Sequence, residues 1–167
     1  MNDLKKLSYM ELLGLHVEIL EELRYRGVIR TMNNPTGDLA EFLFCQAFSW
    51  KLAPNSNKGF SATDSRGNRY QIKGRRPHQR NTSRQLSQMR NLESFDTLAA
   101  VLFDDKYAVK RAALIPGAVV HEQSKFVEHT NSYKFMLTDD VWDDEQVTDV
   151  TEKLRAVVAQ EMVMGAS

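Results

Sequence analysis

Cysteine is almost missing from this sequence, since Cys45 is the only one among 167 residues. One cysteine excludes an internal disulfide and most structural zinc sites, which need several thiolates. Cys45 falls in the apolar run AEFLFCQAF, which favours a buried small hydrophobe over a reactive thiol. The four histidines show no metal-ligand spacing with Cys45 and no arrangement typical of a serine or cysteine hydrolase.

Long apolar runs are missing too, and none approaches the length of about 18 residues that a transmembrane helix needs. The opening residues, MNDLKKLSYMELLG, lack the apolar core of a secretion signal. We therefore expect a cytoplasmic protein without membrane contact. No glycine-rich loop suited to cradling a nucleotide phosphate is present, which argues against nucleotide hydrolysis.

No internal repeat, low-complexity tract or long Gly/Ser linker divides the chain, so residues 1–167 are expected to form a single domain. Within it we expect an N-terminal helical extension over residues 1–30 and C-terminal elements over residues 116–167. Between them, residues 35–115 should form a core of helix, hairpin, helix and hairpin. This order predicts an α/β sandwich, in which helices flank a mixed central sheet.

The helices and strands are predicted from the spacing of apolar residues and from residues that typically begin or end a helix. Ser8 and Glu11 form a capping box for a first helix that runs to about Arg26, and Gly27 provides its stop. Further helices are predicted over residues 36–48, 82–91 and 148–162, with a short one in GAVVHEQSKFVEH, and strands in FDTLAAVLFD, YAVKRAALIP and SYKFML.

Acidic residues are absent from the stretch between Arg66 and Arg90, and basic residues are absent between Asp139 and Glu152. A basic block suggests a polyanionic partner, because lysine and arginine that neutralise phosphates release counterions. A solvated basic face, or one paired with the acidic segment, explains the same pattern. The expected nucleic-acid contacts are Lys58, Arg75, Arg76, Arg80 and Arg84.

The stretch GFSATDSRGNRYQIKGRR predicts a β-hairpin. Ser65-Arg66-Gly67 fits a three-residue loop closed by a left-handed glycine, with Asp64 at the favoured first position. This register pairs Ser61 with Gln71. Because side chains alternate along a strand, Ser61, Gln71 and Lys73 should share one face, with Asp64 pointing the other way.

Together, GDLAEFLF on a helix and KGFSATDSRGNRYQIKGR as a hairpin resemble the core of the PD-(D/E)xK, or restriction-endonuclease-like, superfamily. The stretches RTMNNPTGDLAE, SRQLSQMRN and VTDVTEKLR resemble, more narrowly, a bacterial family of undefined function related to this fold. The resemblance implies a restriction-endonuclease-like α/β sandwich that cuts DNA with Mg²⁺ or Mn²⁺. It makes Glu41 the helix glutamate and Gln71-x-Lys73 the second half of the motif, in which Lys73 positions the attacking water or offsets the charge that develops in the transition state.

Ser61 departs from that pattern, since it stands where the family carries its metal-binding aspartate. Magnesium sites usually need one or two carboxylates, and Glu41 is the only one left beside Ser61 Oγ and the Gln71 side chain. Asp64 would become a ligand if the hairpin slipped by one residue, and is otherwise a turn residue. For Glu41 and Lys73 the plain alternatives are an exposed helix carboxylate and a solvent-facing strand lysine.

Three functions remain open at this point. The first is a metal-dependent endonuclease that acts on DNA or another nucleic acid. The second is a binding or assembly module that keeps the fold without the catalytic site. In the third, the basic block of one copy docks on the acidic segment of another, which forms a homodimer or a larger oligomer.

Overall fold

The computed structural model describes residues 3–57 and 59–164. The helices are α1 (Tyr9–Tyr25), α2 (Thr36–Phe48), α3 (Gly117–Gln123) and α4 (Thr151–Met164). The strands are β1 (Lys51–Leu52), β2 (Ala62–Thr63), β3 (Arg69–Arg75), β4 (Thr97–Phe103), β5 (Val109–Pro116), β6 (Lys125–Val127), β7 (Ser132–Lys134) and β8 (Thr148–Asp149). Short 3-10 turns lie at Leu4–Lys6, Leu92–Ser94, Glu128–Thr130 and Asp139–Asp143.

A mixed six-stranded sheet forms the centre, in the order β1-β2-β3-β4-β5-β8. β3 and β4 run parallel, and the other neighbours run antiparallel. β6 and β7 form a separate two-stranded ribbon. The α/β class and the mixed sheet predicted from the sequence are therefore confirmed.

Both faces of the sheet are covered, and successive side chains of β4 alternate between the two core clusters. Ala99, Val101 and Phe103 belong to a core cluster that also contains residues of α2 and α4. Leu98, Ala100 and Leu102 belong to a second cluster, built with α3 and with the chain between β3 and β4. A strand buried on both faces reads as a continuous apolar run, as the segment TLAAVLF does.

Gly74 on β3 allows α2 to lie directly against the sheet. A Cβ atom built on Gly74 would be 2.8 Å from the backbone oxygen of Thr36 and 3.0 Å from Cβ of Ala40. Only glycine fits such an approach without displacement. The contact fixes the first turns of α2, and with them Glu41, over the strand that carries Gln71 and Lys73.

The helix predicted over residues 82–91 is wrong. This segment is extended, and it pairs through Gln85 with Met136 and through Met89 with Tyr133. Leu86 and Met89 are buried, so their spacing of three reflects packing beneath the sheet and not a helix. Hydrogen bonds from residues 133–137 satisfy the backbone here, in place of those that a helix would have supplied. The expected helix between the two hairpins is thus replaced by an extended crossover.

Other predicted elements agree with the structure. Ser8 caps α1 with the reciprocal Glu11 contact, and Gly27 follows it at φ 72°. The hairpin has the predicted register, with Thr63 opposite Arg69, and Gly67 has φ 86°. The closing helix begins three residues later than expected. None of the helices in the described residues has the length and apolar character needed to cross a membrane.

Candidate functional site

The hairpin brings Ser61 and Gln71 together as predicted. Ser61 is 9% exposed. Its Oγ accepts a hydrogen bond from the Ile72 backbone N–H at 3.2 Å, and one from Gln71 Nε2 at 3.3 Å. The Ser61 hydroxyl therefore ties the two strands to each other and orients the Gln71 amide.

The Glu41 side chain also lies in this region, and it is paired with Arg30, a contact that the sequence does not predict. The Arg30 guanidinium forms an ion pair with the Glu41 carboxylate through Nη2. Both side chains are largely covered, at 30% exposure for Arg30 and 17% for Glu41. Arg30 Nη1 donates a further hydrogen bond to the Ala53 carbonyl at 3.2 Å. Glu41 is thus neither a free ligand nor an exposed helix carboxylate.

Asp38 holds Arg30 in this position. Its Oδ2 accepts hydrogen bonds from the backbone N–H of Arg30 at 3.0 Å and of Thr31 at 2.8 Å, and from Thr31 Oγ1 at 2.9 Å. Asp38 lies in the first turn of α2, one turn before Glu41. The same helix therefore fixes the backbone of Arg30 with one carboxylate and its side chain with another.

The residues assembled here do not fit Mg²⁺ or Mn²⁺. Such cations bind hard, preferably anionic oxygens. Two carboxylates, Asp38 and Glu41, line the cavity beside Ser61 and Gln71. Glu41 is neutralised by a guanidinium, and Asp38 Oδ2 already accepts three hydrogen bonds from Arg30 and Thr31. Ser61 Oγ already accepts two hydrogen bonds, and Gln71 turns its amide N–H toward it. Among the described residues, no group of three or more His, Cys, Asp or Glu side chains is arranged to hold a metal ion.

Asp64 lies in the hairpin turn, where it stabilises the loop. Its carboxylate accepts hydrogen bonds from the backbone N–H of Arg66 and of Asn68, both at 2.9 Å, and from the Tyr70 hydroxyl at 3.0 Å. The bond from the Asn68 side chain contributes most to lowering the pKa of Asp64 to about 2. The structure does not bring Asp64 to Glu41 or Gln71.

Lys73 lines a cleft of about 610 Å³ together with Gln71, Gln88 and Arg90. Burial lowers the pKa of the Lys73 ammonium, and the negative charge of Glu41 opposes this shift. Among the described residues, Lys73 has no ion-pair or hydrogen-bond partner for its side chain. A half-buried, unpaired ammonium at the wall of a cleft is available to a ligand.

A second cavity of about 350 Å³ adjoins this cleft, since Gln88 lines both. Its other lining residues include Arg75, Asn81 and Ser83. We call the two cavities together the basic groove. Its lining holds three cationic side chains, several amides and hydroxyls, and no Asp or Glu among the described residues.

The predicted phosphate-binding arginines have mostly internal partners. Arg75 donates to the Ser83 carbonyl at 2.7 Å and to Asn81 Oδ1 at 2.9 Å. Arg76 donates to the Asp105 carbonyl and lies 4.7 Å from the centre of the Tyr107 ring. These contacts shape the loop after β3 and its junction with the turn between β4 and β5.

Arg84 forms an ion pair with Asp139 at 2.9 Å, so the basic block and the acidic segment meet within one chain. Arg111 also reaches Asp139, at 3.5 Å, and lies over the Trp142 ring. Arg80 is exposed and has no side-chain partner among the described residues. Lys58 lies outside the described residues.

Sequence reasoning missed two residues of this region, Arg30 and Arg90. Arg30 pairs with Glu41 across the turn NNPTG, and no periodic pattern marks a contact between two such positions. Arg90 ends the basic block and falls in the helix predicted over residues 82–91, whereas in the structure it lines the cleft beside Lys73. The absence of acidic residues from the crossover was the signal that pointed to this groove.

Cys45 is partly covered on α2, as its apolar surroundings predicted. Burial, reinforced by the charge of Glu41, raises the pKa of its thiol to about 11.

The comparisons with known proteins add no relative, since no protein-family model matches this sequence and no curated protein does so either.

Proposed function

We propose that this protein is a nucleic-acid-binding domain of restriction-endonuclease-like fold, and that the basic groove holds the phosphodiester backbone of DNA. The observation that carries the proposal is the unpaired Lys73 ammonium in a groove without acidic lining residues. A cation held partly out of water is disfavoured unless an anion compensates it. Among the described residues Lys73 forms no ion pair, and Glu41, whose charge acts on it, is already paired with Arg30, so a phosphate of the ligand is the expected counter-charge.

The lining chemistry agrees with a nucleic acid better than with a small anion. Lys73 and Arg90 supply charge, while Gln71, Gln88 and Asn91 supply amides. Amides bind base edges and sugars as well as phosphates. Two adjoining cavities also provide a path longer than one phosphate.

The pairing of Arg30 with Glu41 supports binding without cleavage. In the family that this sequence resembles, the helix glutamate holds a metal ion, and the metal stabilises charge on the phosphate and activates water. Here the Arg30 guanidinium neutralises Glu41, and Ser61 stands in the aspartate position. We propose that an internal arginine has taken the place of the metal.

The test is binding of labelled single-stranded DNA, double-stranded DNA and RNA, measured by fluorescence anisotropy over a range of salt concentrations. Lys73→Met and Arg90→Met should each weaken binding about tenfold or more, as expected for losing a charged hydrogen bond. Each should also reduce the dependence of log K on log salt by about one ion. Comparing the three ligands shows whether the protein prefers DNA or RNA, and single or double strands.

Lys110→Met is the matched control, because Lys110 is exposed on β5 and lines a different cavity that also contains Asp149 and Glu152. It should bind nucleic acid like the wild type. Failure of the wild type to bind any of the three ligands at low salt would overturn the proposal, as would equal losses in all three variants.

The same samples, incubated with Mg²⁺ or Mn²⁺ and plasmid DNA, test the endonuclease reading. One feature favours that reading, since the negative charge of Glu41 acts on the Lys73 ammonium, and both residues stand at positions of the motif that the sequence resembles. We expect no cleavage. Nicking by the wild type that disappears in Lys73→Met would replace the binding module with an enzyme.

A further inference from the structure

The two-stranded ribbon of β6 and β7 sets two lysines directly opposite each other. Lys125 on β6 is the cross-strand partner of Lys134 on β7. The Cβ atoms of such a pair are about 5 Å apart, and like charges in this arrangement are destabilising. Among the described residues neither ammonium has an ion-pair or hydrogen-bond partner. Glu122 and Glu128 flank β6 in the sequence, but neither pairs with these lysines. The two charges therefore lack a compensating anion.

The ribbon is continuous with the basic groove through the extended crossover between β3 and β4. Gln85 lines one cavity of the groove and pairs with Met136, just beyond β7. The Leu86 backbone N–H donates to the Phe135 carbonyl at 3.0 Å, which holds the two segments side by side. Lys134 precedes Met136 by two residues, and side chains two apart share one face of a strand. Lys134 thus lies on the same face as Gln85.

The burial of these residues agrees with that placement. Phe135 is fully buried in the core beneath the ribbon, whereas Met136 is 46% exposed. Lys134 is half-buried and Lys125 is exposed. β6 and β7 contain no Asp or Glu. The outward face of the ribbon therefore extends the positive charge of the groove and adds an exposed apolar side chain beside it.

We propose that Lys125 and Lys134 bind the phosphate backbone of the nucleic acid where it leaves the basic groove. The inference rests on the proposed function and extends it to a second contact surface. β6 lies two strand spacings from the crossover, about 10 Å. This distance corresponds to about three nucleotides along one strand of a duplex. Phosphate between the two ammonium groups relieves their repulsion, and Met136 offers an apolar contact to the sugars.

Thermal unfolding tests the repulsion between the two lysines. Lys134→Glu places opposite charges across the ribbon, so its melting temperature should exceed that of the wild type by about 1–3 °C. The same substitution should weaken nucleic-acid binding more than Lys134→Met does, because a carboxylate repels phosphate. A lysine that served only the fold would lose stability on either substitution. Higher stability together with weaker binding is therefore the signature of a ligand-binding lysine.

Fluorescence anisotropy with labelled single-stranded DNA, double-stranded DNA and RNA measures the binding. Lys125→Met with Lys134→Met should weaken binding of the preferred ligand about tenfold or more, and should reduce the dependence of log K on log salt by about two ions. Lys5→Met with Lys6→Met is the matched control, since it removes two exposed lysines from the turn before α1. This control should bind like the wild type. Circular dichroism verifies that each variant keeps its secondary structure.

Lys73→Met separates failure of this inference from failure of the proposed function. If Lys73→Met weakens binding and the double variant of Lys125 and Lys134 binds like the wild type, the ribbon contact is wrong and the groove stands. If the wild type binds none of the three ligands at low salt, both fall. Equal losses in the double variant and its control, or a melting temperature of Lys134→Glu below that of the wild type, would also overturn the inference.

Discussion

Replacing Arg30 by methionine tests the proposal that an arginine neutralises Glu41 where the superfamily that this sequence resembles would hold a metal. Methionine keeps most of the apolar stem of arginine and removes its charge. The Glu41 carboxylate, 17% exposed, then remains in place without its partner. We expect Arg30→Met to destabilise the protein, and Arg30→Met with Glu41→Gln to recover much of the loss.

The expected loss in the free energy of unfolding follows from the burial of the Arg30–Glu41 pair. Two unit charges about 4 Å apart attract each other by about 4 kcal/mol at an effective dielectric constant near 20, before the cost of removing them from water. Breaking a fully buried pair by removing one partner costs about 3–5 kcal/mol. Because Arg30 retains 30% exposure, water partly replaces it, and we expect about 2–3 kcal/mol.

Chemical denaturation in urea measures this loss, and the double variant completes a thermodynamic cycle. The interaction free energy of neighbouring charged residues in such cycles is about 0.5–3 kcal/mol. For a chain of this length, each kcal/mol corresponds to about 2–4 °C in the melting temperature. Arg66→Met is the control, since Arg66 is an exposed arginine of the hairpin turn and should change stability little.

Divalent cations provide the second readout. In Arg30→Met the carboxylate of Glu41 is free to attract Mn²⁺ or Mg²⁺, so these ions should raise the melting temperature of this variant. They should not do so for the wild type or for the double variant that lacks the carboxylate. A wild type stabilised by Mn²⁺ as strongly as Arg30→Met, or single and double variants of equal stability, would refute the reasoning.

Two further predictions concern α2. Gly74→Ala should cost about 1–3 kcal/mol by overpacking against Thr36, measured by thermal unfolding, whereas Gly37→Ala, with open space around its Cβ, should be neutral or slightly stabilising. The raised pKa of Cys45, about 11, predicts that its reaction with a disulfide reagent still accelerates about tenfold per pH unit from pH 8 to 10. Unfolding in urea should remove this dependence above about pH 9, and a folded protein with the unfolded profile would contradict the prediction.

The sequence predicted the elements whose backbone conformation depends on residues close by in the chain, namely the ends of α1 and the hairpin turn. The Ser8–Glu11 box and Gly27 bound α1, and the Asp64 turn with its left-handed glycine fixed the register that joins Ser61 to Gln71. Ser8 and Asp64 each accept hydrogen bonds from backbone N–H groups within four residues of themselves, and Gly27 and Gly67 adopt the positive φ that these ends require. No distant contact needed to be known.

Contacts between distant parts of the chain determine the features that the sequence did not predict. Residues 84–89 are extended because residues 133–137 pair with them, almost 50 positions further along the chain. The same holds for charge, since Arg84 is paired with Asp139 and Arg75 with the loop that follows it. A count of arginines in the sequence therefore overestimated the number free to bind phosphate.

Glu41 and Lys73 differ in the free-energy cost of their burial, and this difference supports the proposal that Lys73 binds the ligand. Burial of Lys73 lowers its pKa, so the folded state is penalised at neutral pH, where lysine is charged in both states. The penalty disappears only as pH rises through the lysine pKa values. Glu41 has Arg30 to offset its burial, and Lys73 has no such partner among the described residues. A phosphate in the basic groove would supply one, so under the proposed function the free energy of burying Lys73 is recovered when nucleic acid binds.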